Sequence, residues 1–106
     1  MQKKYVIGVD GGTESIRAGV FDLSGNPLAF ASVTYPTNFP IPGWAEQNPE
    51  DWINATLDCF TKLQSLNPKE FQETISIGIS GHMHGATLLD KDEKIIRPCI
   101  LWNDTR

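Results

Sequence analysis

Residues 5–22 of this 106-residue chain read YVIGVDGGTESIRAGVFD. The short β-branched run at 5–10 predicts a buried strand, and residues 16–22 predict a second strand. Between them lies the turn Asp10-Gly11-Gly12-Thr13, whose adjacent glycines permit positive φ angles. Two strands joined by so short a turn predict an antiparallel hairpin.

The residues after the hairpin predict a third strand and then a loop. A second turn at 24–27 leads into a strand at 28–35, so that the first three strands form an antiparallel meander. Residues 36–42 contain three prolines and predict an irregular surface loop.

A helix is predicted to begin at Pro49, with Asn48 as its N-cap and with Glu50 and Asp51 supplying negative charge in the first turn. The pair at 67–68, Asn-Pro, ends the helix. Apolar residues recur at helical spacing and form one stripe: Ile53, Leu57, Phe60 and Leu63.

Beyond the helix, Ile75, Ile77 and Ile79 alternate with small residues, which is the pattern of a half-buried strand. Residues 86–89 and 95–102 predict two further extended segments. A meander followed by a crossover helix and another strand predicts an α/β fold, with a mixed sheet and the helix on one face.

Composition excludes several classes of protein. Nine basic residues against thirteen acidic ones give a formal net charge of −4, which argues against a general nucleic-acid binder. No apolar run approaches the ~20 residues that span a bilayer. The two cysteines do not make a disulfide framework, so we expect a cytoplasmic protein with reduced thiols. The length suits one domain, and because no helix closes the sequence after residue 100, we expect an N-terminal piece of a longer protein.

The turn at 10–13 is the first candidate for chemistry. Backbone N–H groups in such a turn can converge on phosphate oxygens, Thr13 and Ser15 add hydroxyl donors, and Arg17 adds positive charge. Asp10 could hold Mg²⁺, which prefers one or two carboxylates together with phosphate oxygens. A plain hairpin turn is the alternative. The pattern is neither a Walker A loop nor a Rossmann fingerprint.

Two other segments carry candidate ligand contacts. His82 and His84 lie two apart on a segment expected to be extended, so they could share a metal with a third ligand. Alternatively, His84 hydrogen-bonds a polar ligand beside Met83, or both histidines are satisfied by the backbone. Near the end, Trp102 beside Asp104 suits a sugar, since the ring can cover C–H groups and the carboxylate can accept from hydroxyls, although on composition alone such a tryptophan is more often a core residue.

Four segments in register resemble the FGGY family of carbohydrate kinases across nearly the whole chain: GVDGGT at 8–13, PGWAEQNPEDW at 42–52, GISGHMHGA at 78–86 and RPCILWND at 97–104. Within that family the last two are most similar to xylulokinases. The resemblance implies a ribonuclease H-like, actin-type ATPase fold in two lobes, of which this chain would form part of the first. It also implies transfer of the γ-phosphoryl group of ATP to a hydroxyl of a ketopentose such as D-xylulose, with Mg²⁺.

The resemblance also implies roles for individual residues. Asp10 would be the catalytic residue and metal ligand, and the general base would be an Asp later in the chain than residue 106. Gly12, Thr13, Ser15 and Arg17 would lie toward the nucleotide phosphates, whereas Met83, His84, Trp102 and Asp104 would face the sugar.

Two positions depart from the family pattern and leave alternatives open. Glu14 stands where a small hydroxyl residue is frequent, and His82 replaces the glutamine expected in xylulokinases. D-ribulose, glycerol or another polyol therefore remain candidate substrates, and a non-catalytic nucleotide- or sugar-binding member of the same fold is the second hypothesis. We expect homo-oligomers, because open strand edges template pairing.

Overall fold

A computed structural model describes residues 4–106 of the chain. It contains six strands and two helices, in the order β1 (Tyr5–Gly11), β2 (Ser15–Asp22), β3 (Pro27–Thr34), β4 (Glu46–Gln47), α1 (Pro49–Leu66), α2 (Pro68–Gln72), β5 (Thr74–Ser80) and β6 (Cys99–Ile100). Neither helix combines the length and the apolar character that crossing a membrane requires.

The main sheet has four strands in the order β3-β2-β1-β5. Strands β1, β2 and β3 pair antiparallel, while β5 pairs parallel to β1 after the chain has crossed over through the helices. The predicted meander and the predicted mixed sheet are therefore both confirmed. The parallel pairing places the ends of β1 and β5 side by side, with Asp10 opposite Ser80.

The core lies between one face of this sheet and α1, which packs on β2 and β3. Alternate residues of the strands point into it because side chains in a strand alternate between faces. The buried strand residues are Tyr5, Ile7, Val9, Ile16, Ala18, Val20 and Ala31. Leu63 from α1 is fully buried against them, and burial of such a side chain contributes about 2–3 kcal/mol.

Helix α1 begins as predicted, but the buried face differs from the predicted stripe. The Asn48 side chain accepts a hydrogen bond from the Glu50 N–H at 3.1 Å, as an N-cap does. Leu63 of the predicted stripe is buried and Phe60 packs against the core, but the other buried residues facing the sheet are small ones that allow close approach, Ala55 and Cys59. Ile53 and Leu57 are 52 % and 56 % exposed, because the helix covers β2 and β3 and leaves β5 uncovered.

The Asn67-Pro68 pair ends α1 as predicted, and Pro68 also begins the short second helix, consistent with proline at a first helical position. Two other expectations need correction. The extended segments predicted at 86–89 and 95–102 reduce to single bridges and to the two-residue strand β6, which pairs with β4. Strand β5 exists, but it is not half-buried: Ile75 and Ile79 are 57 % and 77 % exposed, since no described element packs over it.

Both cysteines are free thiols inside the protein, Cys59 on the sheet-facing side of α1 and Cys99 in β6. Burial raises the pKa of each thiol above its ordinary value. They therefore act as small apolar core residues.

Candidate functional site

The glycines in the turn after β1 were predicted to adopt positive φ angles, but the structure gives another reason for glycine there. Positive φ angles occur at Gly25 and Gly43, not at the adjacent glycines of this turn. The Gly12 N–H instead donates to the Ser15 carbonyl at 2.9 Å, and a Cβ at Gly12 would lie only 3.3 Å from that oxygen. Glycine is favoured here because the backbone crosses the hairpin so closely.

Two side chains from the interior hold the carbonyls of this turn. The Tyr35 hydroxyl donates to the Gly12 carbonyl, and Gln47 Nε2 donates to the Thr13 carbonyl at 2.5 Å. Gln47 is fully buried and Tyr35 is 8 % exposed. Neither residue was singled out from the sequence as part of a site. Both partners lie far along the chain from the turn, so no local pattern in the sequence could indicate their roles.

Asp10 ends the buried part of β1 and is itself exposed. Its Oδ1 accepts a hydrogen bond from the Ser80 hydroxyl at 3.0 Å. Burial, helped by the negative charge of Asp10, raises the pKa of Tyr35 to about 12, so its hydroxyl stays a donor at neutral pH. Arg17 is the cross-strand partner of Asp10 and stacks on Phe30, with its guanidinium carbon 4.5 Å from the ring centroid.

A cleft of about 400 Å³ opens where β1 and β5 end side by side. It brings together six of the residues that the sequence predicted to act on a ligand: Asp10, Gly12, Thr13, Met83, His84 and Trp102. Gly11, Gly81 and His82 complete the lining. Ser15, Arg17 and Asp104 do not line it, and Arg17 lies beside Asp10 in an adjoining cleft on the sheet. Glu14, the departure from the family pattern, is exposed and also outside the lining.

The segment that supplies the other wall of the cleft is not extended, contrary to prediction. The chain bends at 83–84, and His84 adopts a φ of 64°, a left-handed conformation that costs about 1–2 kcal/mol for a residue other than glycine. Met83 is 73 % exposed. His82 instead stacks on Trp52, with ring centroids 5.2 Å apart, and both of its ring nitrogens are buried without a hydrogen-bond partner.

This geometry does not support the hypothesis of a metal held by His82 and His84. Within residues 4–106 no three His, Cys, Asp or Glu side chains converge as a metal site requires. The His82 ring lies against an indole, while His84 is exposed at the bend.

Trp102 stands beside the turn with 61 % of its surface exposed, and its Nε1 donates to the Thr13 hydroxyl at 3.4 Å. Asp104 is used differently. Its carboxylate accepts from the Ala45 N–H at 2.7 Å and pairs with Arg106 at 2.6 Å, leaving its side chain 2 % exposed. These hydrogen bonds, chiefly those from Arg106, hold the pKa of Asp104 well below its usual range.

Arg106 and Arg97 extend this arrangement to the buried Glu46. Their guanidinium nitrogens lie 2.9 and 2.6 Å from Glu46 Oε2, and Arg106 also stacks on Trp44. The segment that carries Trp102 is therefore fastened to β4 by charge pairs and by β6.

The model for the N-terminal domain of the FGGY family of carbohydrate kinases matches residues 5–106. The chain is 41 % identical over 103 residues to a xylulose kinase of Bacillus subtilis, covering 97 % of this chain and 21 % of that protein. It is 33 % identical over 102 residues to a gluconokinase of the same organism, covering 96 % of this chain and 20 % of the relative. The chain therefore belongs to the FGGY family of carbohydrate kinases.

The fold agrees with this assignment. The crystal structure of a protein described as a "xyloylose kinase", from Brucella ovis, superposes with a TM-score of 0.94 at 45 % identity, covering 96 % of this chain and 22 % of that one. The mixed sheet and its helix thus belong to the actin-like ATPase fold of the FGGY kinases. The chain spans about a fifth of the length of these relatives.

Proposed function

We propose that this chain forms the N-terminal part of the first lobe of an ATP-dependent sugar kinase, which transfers the γ-phosphoryl group of ATP to a hydroxyl of a ketopentose, D-xylulose first. The observation that carries the proposal is the cleft at the ends of β1 and β5. There a carboxylate and a glycine turn face an exposed methionine, histidine and tryptophan across about 400 Å³.

The nucleotide end of the cleft is the turn at 10–13. Its Thr13 N–H has no acceptor among the described residues, so it is available to a phosphate oxygen. Phosphoryl transfer depends more on positioning and charge stabilisation than on covalent chemistry, which suits a site built of backbone donors and one carboxylate. In the proposal Gly12, Thr13 and Ser15 lie toward the phosphates, and Arg17 adds positive charge from the neighbouring strand.

The donors around Asp10 fit Mg²⁺. The exposed carboxylate is hydrogen-bonded to the Ser80 hydroxyl, Thr13 lines the same cleft, and Mg²⁺ prefers one or two carboxylates with phosphate oxygens and water. Mg²⁺ would neutralise charge on the phosphate oxygens when bound. Asp10 would hold it there, and the Ser80 hydrogen bond would orient the carboxylate.

The sugar end of the cleft is formed by Met83, His84 and Trp102. Exposed apolar surface on Met83 and Trp102 suits the C–H faces of a sugar, and the His84 ring can exchange hydrogen bonds with hydroxyls. Because Asp104 is already occupied by Arg106 and Ala45, we propose that it serves the sugar site by fixing the segment that carries Trp102.

The test is an assay of the full-length kinase with ATP and Mg²⁺ against D-xylulose, D-ribulose, gluconate and glycerol. We expect phosphorylation of D-xylulose with the highest kcat/KM. A higher kcat/KM for another member of the panel would reassign the substrate. Nucleotide binding without transfer to any sugar or polyol would contradict the kinase proposal and favour the non-catalytic alternative.

We also expect the protein to be cytoplasmic. Separately, we expect the 106-residue chain to self-associate. Strand β5 is an edge strand, and its isoleucines Ile75, Ile77 and Ile79 are about half exposed or more. A second copy would cover this face by pairing along the edge. Light scattering of the chain should give a dimer or larger species, and replacing Ile77 and Ile79 with Lys should reduce it. A monodisperse monomer would contradict the expectation.

A further inference from the structure

We propose that Gln47 and Tyr35 are positioning residues for the turn at 10–13, holding the carbonyls of Gly12 and Thr13 toward the core so that N–H groups of the turn are left for a phosphate. This inference rests on the proposed function of the turn. Both side chains are buried and would act on the nucleotide site through the backbone of the turn, without contacting the ligand.

Gln47 is bound so that its amide has one orientation. Nε2 donates to the Thr13 carbonyl and, at 2.8 Å, to the Thr37 hydroxyl, while Oε1 accepts from Trp52 Nε1 at 2.9 Å. Both amide protons and the amide oxygen are therefore used in a site with no exposure to water. A flipped amide would set its oxygen against the Thr13 carbonyl, so this orientation is strongly favoured.

The consequence for the turn follows from the planarity of the peptide. In a trans peptide the N–H points opposite to the carbonyl of the same unit. Holding the Thr13 carbonyl toward Gln47 therefore turns the Glu14 N–H away from the core. Tyr35 does the same to the next unit back, because its bond to the Gly12 carbonyl turns the Thr13 N–H away.

The two N–H groups that this arrangement directs outward are without partners. Among residues 4–106 neither the Thr13 N–H nor the Glu14 N–H donates a hydrogen bond. The Gly12 N–H, by contrast, is used by Ser15, and the Glu14 carbonyl accepts from the Tyr35 N–H at 3.1 Å. Two adjacent, outward N–H groups on a backbone fixed from within are what an anion site needs.

The test compares Gln47→Met and Tyr35→Phe in the full-length kinase, measuring kcat and the KM for ATP and for the sugar. We expect each change to lower kcat/KM for ATP about 10- to 100-fold, as a small displacement of a positioning group does, while the KM for the sugar stays within about twofold. The matched control is Thr37→Val, which removes another hydrogen bond of the same amide but leaves the Thr13 carbonyl held. Its kcat/KM for ATP should stay within about threefold of wild type.

The outcomes separate this inference from the proposed function. A folded Gln47→Met protein with wild-type kcat/KM for ATP would overturn the inference. A KM for the sugar that rises as much as the KM for ATP would overturn it too. If Gln47→Met does not fold, Tyr35→Phe is conclusive, because wild-type ATP kinetics in that variant would overturn the inference as well. A wild-type protein that phosphorylates nothing would instead overturn the proposed function, and this inference with it.

Discussion

The two walls of the cleft are built in contrasting ways. The turn at 10–13 is held from the interior by Gln47 and Tyr35, whose hydrogen bonds leave it little freedom. The segment at 81–85 is held by the stacking of His82 on Trp52. Both ring nitrogens of His82 lack a hydrogen bond, and His84 has a left-handed backbone conformation. The wall proposed to face the nucleotide is therefore held from within this chain, whereas the wall proposed to face the sugar presents the exposed side chains of Met83 and His84.

The largest expected effect falls on the preorganised wall. Asp10→Ala in the full-length kinase should lower kcat about 100- to 1000-fold, because it removes the charge that we propose holds the metal beside the transferring phosphate, while the sugar Kd changes about twofold at most. Steady-state kinetics and sugar titration measure the two quantities.

Ser80→Ala is the control for that change, because it removes the hydrogen bond to Asp10 but keeps the carboxylate. Its loss in kcat should be about tenfold at most. Wild-type turnover in Asp10→Ala would remove this residue from the mechanism and, with it, the functional difference between the two walls.

A change at the sugar wall should show the opposite selectivity. His84→Asn keeps a residue that tolerates positive φ but removes the imidazole, so the KM for the sugar should rise about tenfold and the KM for ATP should not change. Glu93→Asn is the matched control, since Glu93 is the other non-glycine residue with positive φ among residues 4–106 and lies outside this cleft. Equal effects of the two variants would show that the change acts through the backbone alone.

A smaller effect is expected at His82. Replacing it by glutamine supplies an amide that can donate and accept at the sugar wall, where the histidine nitrogens have no partner. We expect kcat/KM for D-xylulose to rise about threefold to tenfold, with the KM for ATP unchanged. The sugar panel measures this, and a change confined to ATP would contradict the division of the cleft into two walls.

The smallest effect concerns stability at alkaline pH. The raised pKa of Tyr35, about 12, means that the folded state disfavours its ionised form, whereas the unfolded chain ionises near pH 10. The free energy of unfolding should therefore keep this contribution below pH 10 and lose it as the pH rises from 10 to 12. Denaturant titrations measure it, and Tyr35→Phe should show a shallower decline over that range. Identical slopes for the two proteins would contradict the assignment.

The sequence predicted what depends on local pattern. Strands β1 to β3, the loop with three prolines and the start of α1 were all predictable, because β-branched runs, turn residues and the Asn48 cap act over a few positions. The family resemblance then supplied the candidate site, and the structure brings six of its nine residues to one cleft.

The remaining features depend on contacts between distant segments. Ile53 and Leu57 fit a helical stripe, yet they lie outside the core because the small residues Ala55 and Cys59 set how α1 sits on the sheet. The support that Gln47 gives to Thr13 spans 34 positions, so no local pattern could indicate it. The same holds for Asp104, whose partner Ala45 lies 59 positions away.

A crystal structure of the full-length kinase with Mg²⁺ and a non-hydrolysable ATP analogue tests the central claim most directly. We predict that the terminal phosphate oxygens accept hydrogen bonds from the N–H groups of Thr13 and Glu14, with Asp10 within reach of the metal. Phosphates bound away from this turn, with Asp10 facing only solvent, would contradict the account.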